Sequence, residues 1–197
     1  MNPCKYFFYS DIFNGFADNA FSSIRPEEYL QHAKTLKDIG QNSRFRYIFD
    51  SMSALCEVLA IKCRIGSDCR KAYKEKNKTR LANICDILQD LVCKVDEFYI
   101  KFAELWFMEN KPQGFDVQDI RIGGLLQGIK ACEMRLQGCV AGEINSIPEL
   151  DTALLPFPYG AQDKLYCDNV WVNICSVIIT IRVRIVATAI LLSKVKI

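Results

Sequence analysis

The residues best suited to chemistry lie close together in residues 109–125. Two acids, Asp116 and Asp119, stand near the amide of Gln118 and the guanidinium of Arg121, and Phe115 adds an aromatic ring. A guanidinium can bind a carboxylate or sugar hydroxyls through paired N–H groups, a geometry that lysine does not reproduce. We therefore predict that these five side chains contact a substrate or a protein interface.

The alternative is that the same polar side chains only cap and brace a helix. Pro112 and Gly114 must interrupt any preceding helix, because proline lacks an amide donor and clashes one turn back. Asp116 or Asp119 could then cap the next helix by accepting hydrogen bonds from its first free amides.

Paired glycines follow on that helix, at Gly123 and Gly124. Each costs roughly 1 kcal/mol against alanine in a helix interior. They form no phosphate loop, because neither a preceding strand nor a Gly-Lys-Ser/Thr ending is present. We expect them to leave room for a second backbone or a ligand.

No other part of the sequence offers a complete catalytic group. Asp96-Glu97 lies in the middle of a predicted helix, where a solvated face is the ordinary role of such a pair. A cysteine nucleophile would need a histidine, and the single one, His32, belongs to a charged helix face. One histidine cannot complete a common zinc site, so the sequence predicts neither a metal nor a cofactor.

Composition narrows the class of protein. The 197 residues carry 25 basic and 23 acidic side chains, a balance that argues against nucleic-acid binding. The ten cysteines include no C-x-x-C motif, and pairs such as Cys56/Cys63 are too far apart along a helix to bridge. With no signal-peptide pattern after Met1, we predict reduced, mostly buried thiols in a cytoplasmic protein.

Apolar residues three and four apart predict an all-α fold, an antiparallel bundle of long helices. The first predicted helix begins at Arg25-Pro26 and ends near Gly40, the second begins at about Ser43, and the third and longest has a stripe from Leu81 to Trp106. The fourth ends at Gly142, and a short acidic helix is expected in residues 143–155, with Pro148 near its start. The predicted apolar positions of the fourth helix are Ile120, Leu125, Ile129, Cys132, Leu136 and Val140.

Both ends of the chain differ from this pattern. The irregular N-terminal segment is rich in aromatic residues, which either pack over the core of the chain itself or face another domain. The tail from Val170 is apolar and β-branched. Arg182 and Arg184 stand in its middle and would each cost roughly 2.5–3.5 kcal/mol in a bilayer, so we predict no membrane span.

Several stretches resemble one known family. They are residues 111–125, K-P-Q-G-F-D-V-Q-D-I-R-I-G-G-L, the opening N-P-C-K-Y of residues 2–6, residues 47–59, and A-G-E-I at 141–144. Together they resemble the C-terminal helical domain of bacterial family 20 glycoside hydrolases, the β-N-acetylhexosaminidases. Gln113 departs from that family's pattern, in which a histidine is expected.

The resemblance implies a division of labour. In family 20 the substrate's own acetamido group is the nucleophile, an aspartate orients it, and a glutamate is the general acid. Both acids belong to the catalytic barrel, whose alternating strand and helix pattern is missing here. The implied partners are the catalytic barrel domain of the same enzyme, a second copy in a homodimer, and an N-acetylhexosamine-containing glycan. This chain alone is expected to be inactive.

Two functional hypotheses follow. The first is the C-terminal domain of a β-N-acetylhexosaminidase-like glycosidase, which contributes an interface and a few sugar contacts. The second is a stand-alone helical adaptor or structural protein that binds a partner helix. Under the first, residues 1–24 form the junction to the barrel, residues 25–178 the helical bundle, and residues 179–197 a tail of unassigned role.

Overall fold

A computed structural model describes residues 8–15, 18 and 25–154. Within them the chain forms five helices and no strand, which confirms the all-α prediction. The helices are α1 Pro26–Gly40, α2 Arg46–Lys74, α3 Lys78–Glu109, α4 Phe115–Ala141 and α5 Pro148–Asp151. The tail, and therefore the outer domain boundaries, lie outside the described residues.

Helices that follow one another in the sequence pack as antiparallel neighbours. Glu57 of α2 shows how they are joined, because its carboxylate binds Lys37 of α1 through one oxygen and Lys94 of α3 through the other. Farther along, Gln89 of α3 donates to Glu133 of α4 at 2.7 Å. The predicted antiparallel bundle is thus confirmed for these helices.

The ends of the long helices follow from local chemistry. Pro26 begins α1 with two acids in its first turn, where carboxylates favour the positive end of the helix dipole. Asn77 caps α3 by accepting a hydrogen bond from the Arg80 amide at 3.0 Å. Gly142 ends α4 with φ of 83°, a conformation that glycine adopts without strain. The second helix begins at Arg46, slightly later than predicted.

The core is built from the facing stripes of α2, α3 and α4. In α4 the deepest positions are spaced by seven residues. The fully or almost fully buried core residues include Val58, Leu59, Leu88, Leu91, Val95, Phe115, Ile122, Ile129 and Leu136.

The N-terminal segment, residues 8–15, packs on this core. Phe8, Ile12 and Phe13 are buried, and the Phe8 ring meets the Phe98 ring edge-on with centroids 5.2 Å apart. For these residues the prediction of packing over the chain's own core is confirmed. The aromatic residues before position 8 lie outside the described residues.

A buried arginine of α2 ties the two ends of the described chain together. The Arg70 guanidinium donates to four carbonyl oxygens, those of Phe13 at 2.5 Å, Glu149 at 3.0 Å, Leu150 at 3.1 Å and Thr152 at 2.8 Å. A cation placed at carbonyls near a helix C-terminus also complements the helix dipole.

The short acidic helix predicted in residues 143–155 is present as α5, which begins at Pro148 as predicted and ends at Asp151. Its Leu150 is fully buried in the core. Arg135 of α4 holds α5 in place through a bidentate salt bridge to Glu149, in which both N–O distances are 2.7 Å. The hydrogen bonds from Arg135 are the main reason that the pKa of Glu149 falls to about 2.

The seven cysteines of the described residues are all free thiols, and four are buried. Burial raises the pKa of Cys63 to about 11 and those of Cys69 and Cys132 to about 12, so these thiols are poor nucleophiles. Cys93 alone among these seven is exposed. None of the helices between residues 25 and 154 combines the length and apolar character that a membrane span requires.

Candidate contact site at the central loop

The connection between α3 and α4, residues 110–114, is anchored by one aromatic ring. Phe115 is 5% exposed and packs against Tyr99, Phe102, Trp106 and Phe107, with ring centroids 4.9–6.0 Å apart. The anchor explains why a new helix begins directly after the loop. Phe115 therefore packs inside the domain.

The predicted aspartate cap is wrong. The residue that precedes α4 is Gly114, with φ of 93° and no side-chain cap. The buried Phe115 ring fixes the start of the helix directly after Gly114. Asp116 therefore lies within the first turn, where its negative charge is stabilised by the positive end of the helix dipole. Asp119 faces α3 instead and accepts a hydrogen bond from the Tyr99 hydroxyl at 2.8 Å.

The five predicted site residues are distributed over different faces of α4. Phe115 and Asp119 face α3, Asp116 is exposed, and Gln118 is half-buried. Arg121 lies on the side of α4 that is near the N-terminal segment. Burial raises the pKa of Tyr9 in that segment, and the charge of Arg121 opposes part of this rise. Their contact with a sugar or an interface stays a prediction.

An apolar surface around the same loop was missed by the sequence reasoning. Five large side chains at this end of α3 and α4 are exposed by 41–75%; they are Ile100, Phe107, Met108, Val117 and Ile120. We call these five residues the end patch. Ile120 was predicted as a core position, and the structure corrects this because it is the most exposed of the five, at 75%. The sequence did carry a signal for this surface, because α3 and α4 have more apolar residues at this end than one buried face of each helix can accommodate.

The glycines of α4 leave the neighbouring surface open. A Cβ atom added at Gly123, Gly124 or Gly128 would meet no atom within 4 Å, apart from the helix's own backbone and the adjacent residues. Packing inside the described chain therefore does not require glycine at these positions. The expectation that Gly123 and Gly124 leave room agrees with this geometry.

The catalytic interpretation of Asp96-Glu97 finds no support in the structure. Asp96 is exposed, and Glu97 accepts a bond from Lys101 one helical turn away at 2.5 Å. His32 is exposed on α1 as well. These groups form the solvated faces that the spacing predicted.

The comparison with family models gives the class of protein, since the Glycoside Hydrolase 20C C-terminal domain matches residues 1–167. The chain belongs to that family, and a domain of this kind is associated with a catalytic domain in the parent enzyme. The comparison with curated proteins found no match.

Proposed function

We propose that this chain is the C-terminal domain of a β-N-acetylhexosaminidase-like glycoside hydrolase, and that the end patch is its contact surface for the catalytic barrel. The catalytic carboxylates belong to that barrel. The observation that carries the proposal is the concentration of exposed apolar side chains at one end of α3 and α4 in a chain of this family.

The composition of the end patch favours a protein partner. Phenylalanine, methionine and isoleucine are costly to leave in water, and contiguous exposed apolar residues mark interaction sites. Exposed polar residues lie among and beside those of the patch along the chain, including Asp116, Lys111 and Glu104. Protein interfaces combine apolar side chains with polar ones in this way.

Arg121 extends the proposal toward the glycan. It lies one residue beyond Ile120 of the patch, and it is half-buried. We place Arg121, with Asp116 and Gln118, at the border of the barrel contact, where the side chains can reach the glycan or a second copy. Phe115 and Asp119 then support this surface from the α3 side.

The test of the contact surface uses two matched substitutions in the enzyme that contains this domain. Ile120→Asp places a charge in the end patch, and Met134→Asp places one at a similarly exposed position of the same helix, 66% against 75%. We expect Ile120→Asp to weaken the domain contact and lower the melting temperature of the enzyme, while Met134→Asp has little effect. Equal behaviour of the two variants would reject the end patch as the contact surface.

The glycan contact is tested separately with Arg121→Ala. A role in binding the glycan predicts lower turnover or weaker sugar affinity with little change in melting temperature. Arg25→Ala is the control, since Arg25 is exposed at the start of α1. Loss of stability alone, or equal loss of stability and activity, would leave Arg121 with a packing role. If the chain were instead a stand-alone adaptor, it would bind its partner helix in the absence of a catalytic barrel.

A further inference from the structure

A small cavity of about 210 Å³ lies between the N-terminal segment and α4. Residues 9–12 form one wall, α4 residues between Arg121 and Cys132 form the other, and Lys62 of α2 also lines it. A water molecule occupies about 30 Å³ of liquid, and pockets for drug-sized ligands begin at about 300 Å³. The cavity therefore suits a small molecule.

Lys62 is the unusual group in this cavity. It is 3% exposed, and its ammonium group donates to the Ser10 carbonyl oxygen at 2.5 Å. Among the described residues no carboxylate oxygen lies within ion-pair distance of it. An ammonium group has three donors, so the single bond leaves donors for another acceptor.

Burying an ammonium group with no carboxylate at ion-pair distance costs free energy, and this cost appears as a lowered pKa. Burial lowers the pKa of Lys62 to about 8, although Asp11 and Asp18 act in the opposite direction. Asp11 lines the same cavity and compensates the charge of Lys62 only in part, because its Oδ1 is directed to the amides of Phe13 and Asn14 at 2.9 and 2.8 Å. An anion bound from outside would relieve this cost.

The α4 wall has the shape and charge for such a ligand. Arg121 brings a second cation to the cavity, and Gly124 and Gly128 present bare backbone one helical turn apart. No neighbour within 4 Å requires these glycines, yet glycine destabilises a helix interior relative to alanine. Because these two glycines have no side chain, they leave space beside the helix.

We propose that this cavity binds a compact oxyanion, the carboxylate or phosphate group of a small molecule, which Lys62 and Arg121 hold between the N-terminal segment and α4. The ligand joins residues 9–12 to the bundle. Arg121 is shared with the proposed glycan contact, so the test of this site uses Lys62 and Gly128 instead. It is performed on this chain by itself, and a failed barrel contact therefore leaves its result unaffected.

The test titrates the full chain with sodium phosphate and, separately, with sodium acetate, at constant ionic strength set by sodium chloride. We expect a saturable rise in melting temperature with at least one of the two. Lys62→Met keeps the length of the side chain and removes the charge, and it should weaken the apparent affinity by roughly tenfold or more. The control, Lys130→Met, removes an exposed lysine of α4 and should leave the affinity unchanged.

Each outcome decides the proposal. A rise with phosphate alone identifies a phosphate site, a rise with acetate alone a carboxylate site, and a rise with both a general oxyanion site. No saturable rise with either anion, or the same rise in Lys62→Met, overturns it. Gly128→Leu adds a second arm, because the new side chain occupies space beside the helix without a clash at its Cβ. An unchanged affinity in Gly128→Leu would also overturn it.

Discussion

The two halves of α4 use glycine for different reasons. In residues 129–141 a Cβ atom at Gly138 would lie 2.7 Å from Ile144 Cδ1, and Leu136 is fully buried. In residues 115–128 a Cβ atom at Gly123 or Gly124 would meet nothing within 4 Å. In the second half, which we call the packed half, the glycine lies against its own chain. In the first half, the open half, Phe115 and Ile122 are buried, but the glycine positions face open space.

This difference separates structural from functional constraint within a single helix. At Gly138 the chain's own packing explains the residue. At Gly124 it does not, and the adjoining exposed residue, Ile120, is apolar. The open half therefore has the features of a surface that meets something outside the described chain.

The largest expected effect concerns Arg70 of α2, which bonds to the segments on either side of the helices rather than to α4 itself. Arg70→Met should lower the free energy of unfolding by about 3 kcal/mol or more, because four carbonyl oxygens lose a charged donor and some stay buried. Urea unfolding measures this loss. Arg80→Met removes an exposed ion pair with Glu75 and should cost less than about 1 kcal/mol. Similar losses in the two variants would show that the carbonyl contacts of Arg70 contribute little.

A pair of alanine substitutions compares the two halves directly. Gly138→Ala forces Ile144 to move and should destabilise the chain by about 1–2 kcal/mol. Gly124→Ala should instead stabilise it by up to about 1 kcal/mol, since alanine is the better helix former and the space is free. Thermal unfolding of both variants is the measurement. A loss of stability in Gly124→Ala would mean that the open half is packed after all.

The smallest effect is a pH dependence that arises from Lys62. Its pKa is about 8 in the folded chain against 10.5 without burial, so above about pH 8 the unfolded chain binds more protons. Stability should therefore rise with pH in this range, by about 1 kcal/mol from pH 8 to pH 9. Relative to wild type, Lys62→Met should lack this rise.

The comparison with Lys62→Met is needed because other groups titrate nearby. The buried thiols have raised pKa values, so their deprotonation in the unfolded chain destabilises the fold at higher pH. Asp11, Asp18, Cys132 and Arg121 face Lys62 and are the same in both chains. Measurements in a chloride buffer keep oxyanions away from the cavity. A parallel pH profile in the two chains would contradict the assignment to Lys62.

The sequence predicted the helices well and the surfaces poorly. Proline at position 26, Gly40 and Gly142 marked real helix ends, because backbone constraints act locally. Ile120 was misplaced in the core, since the buried stripe of α4 runs through Phe115, Ile122, Ile129 and Leu136 at seven-residue spacing. A periodic pattern shows which residues share a face, but not whether a neighbour covers that face.

Long-range contacts were beyond the sequence reasoning for a related reason. Arg70 gave no signal, because its partners are backbone carbonyls up to 82 residues away. Lys62 looked like an ordinary charged residue of α2, and its surroundings are formed by residues 9–12 and α4, which are distant in the sequence. The aspartate cap failed because Phe115 fixed the helix start through its tertiary contacts.

The central claim is that a catalytic domain covers the end patch and leaves the exposed residues of the packed half of α4, such as Met134, in contact with solvent. Two methionines report on it, since Met108 of the patch is 60% exposed and Met134 is 66% exposed. Hydrogen peroxide should oxidise both at similar rates in this chain alone. In the enzyme that includes the catalytic domain, mass spectrometry should find Met108 protected and Met134 unchanged. Oxidation of Met108 at the same rate in both proteins would contradict the account.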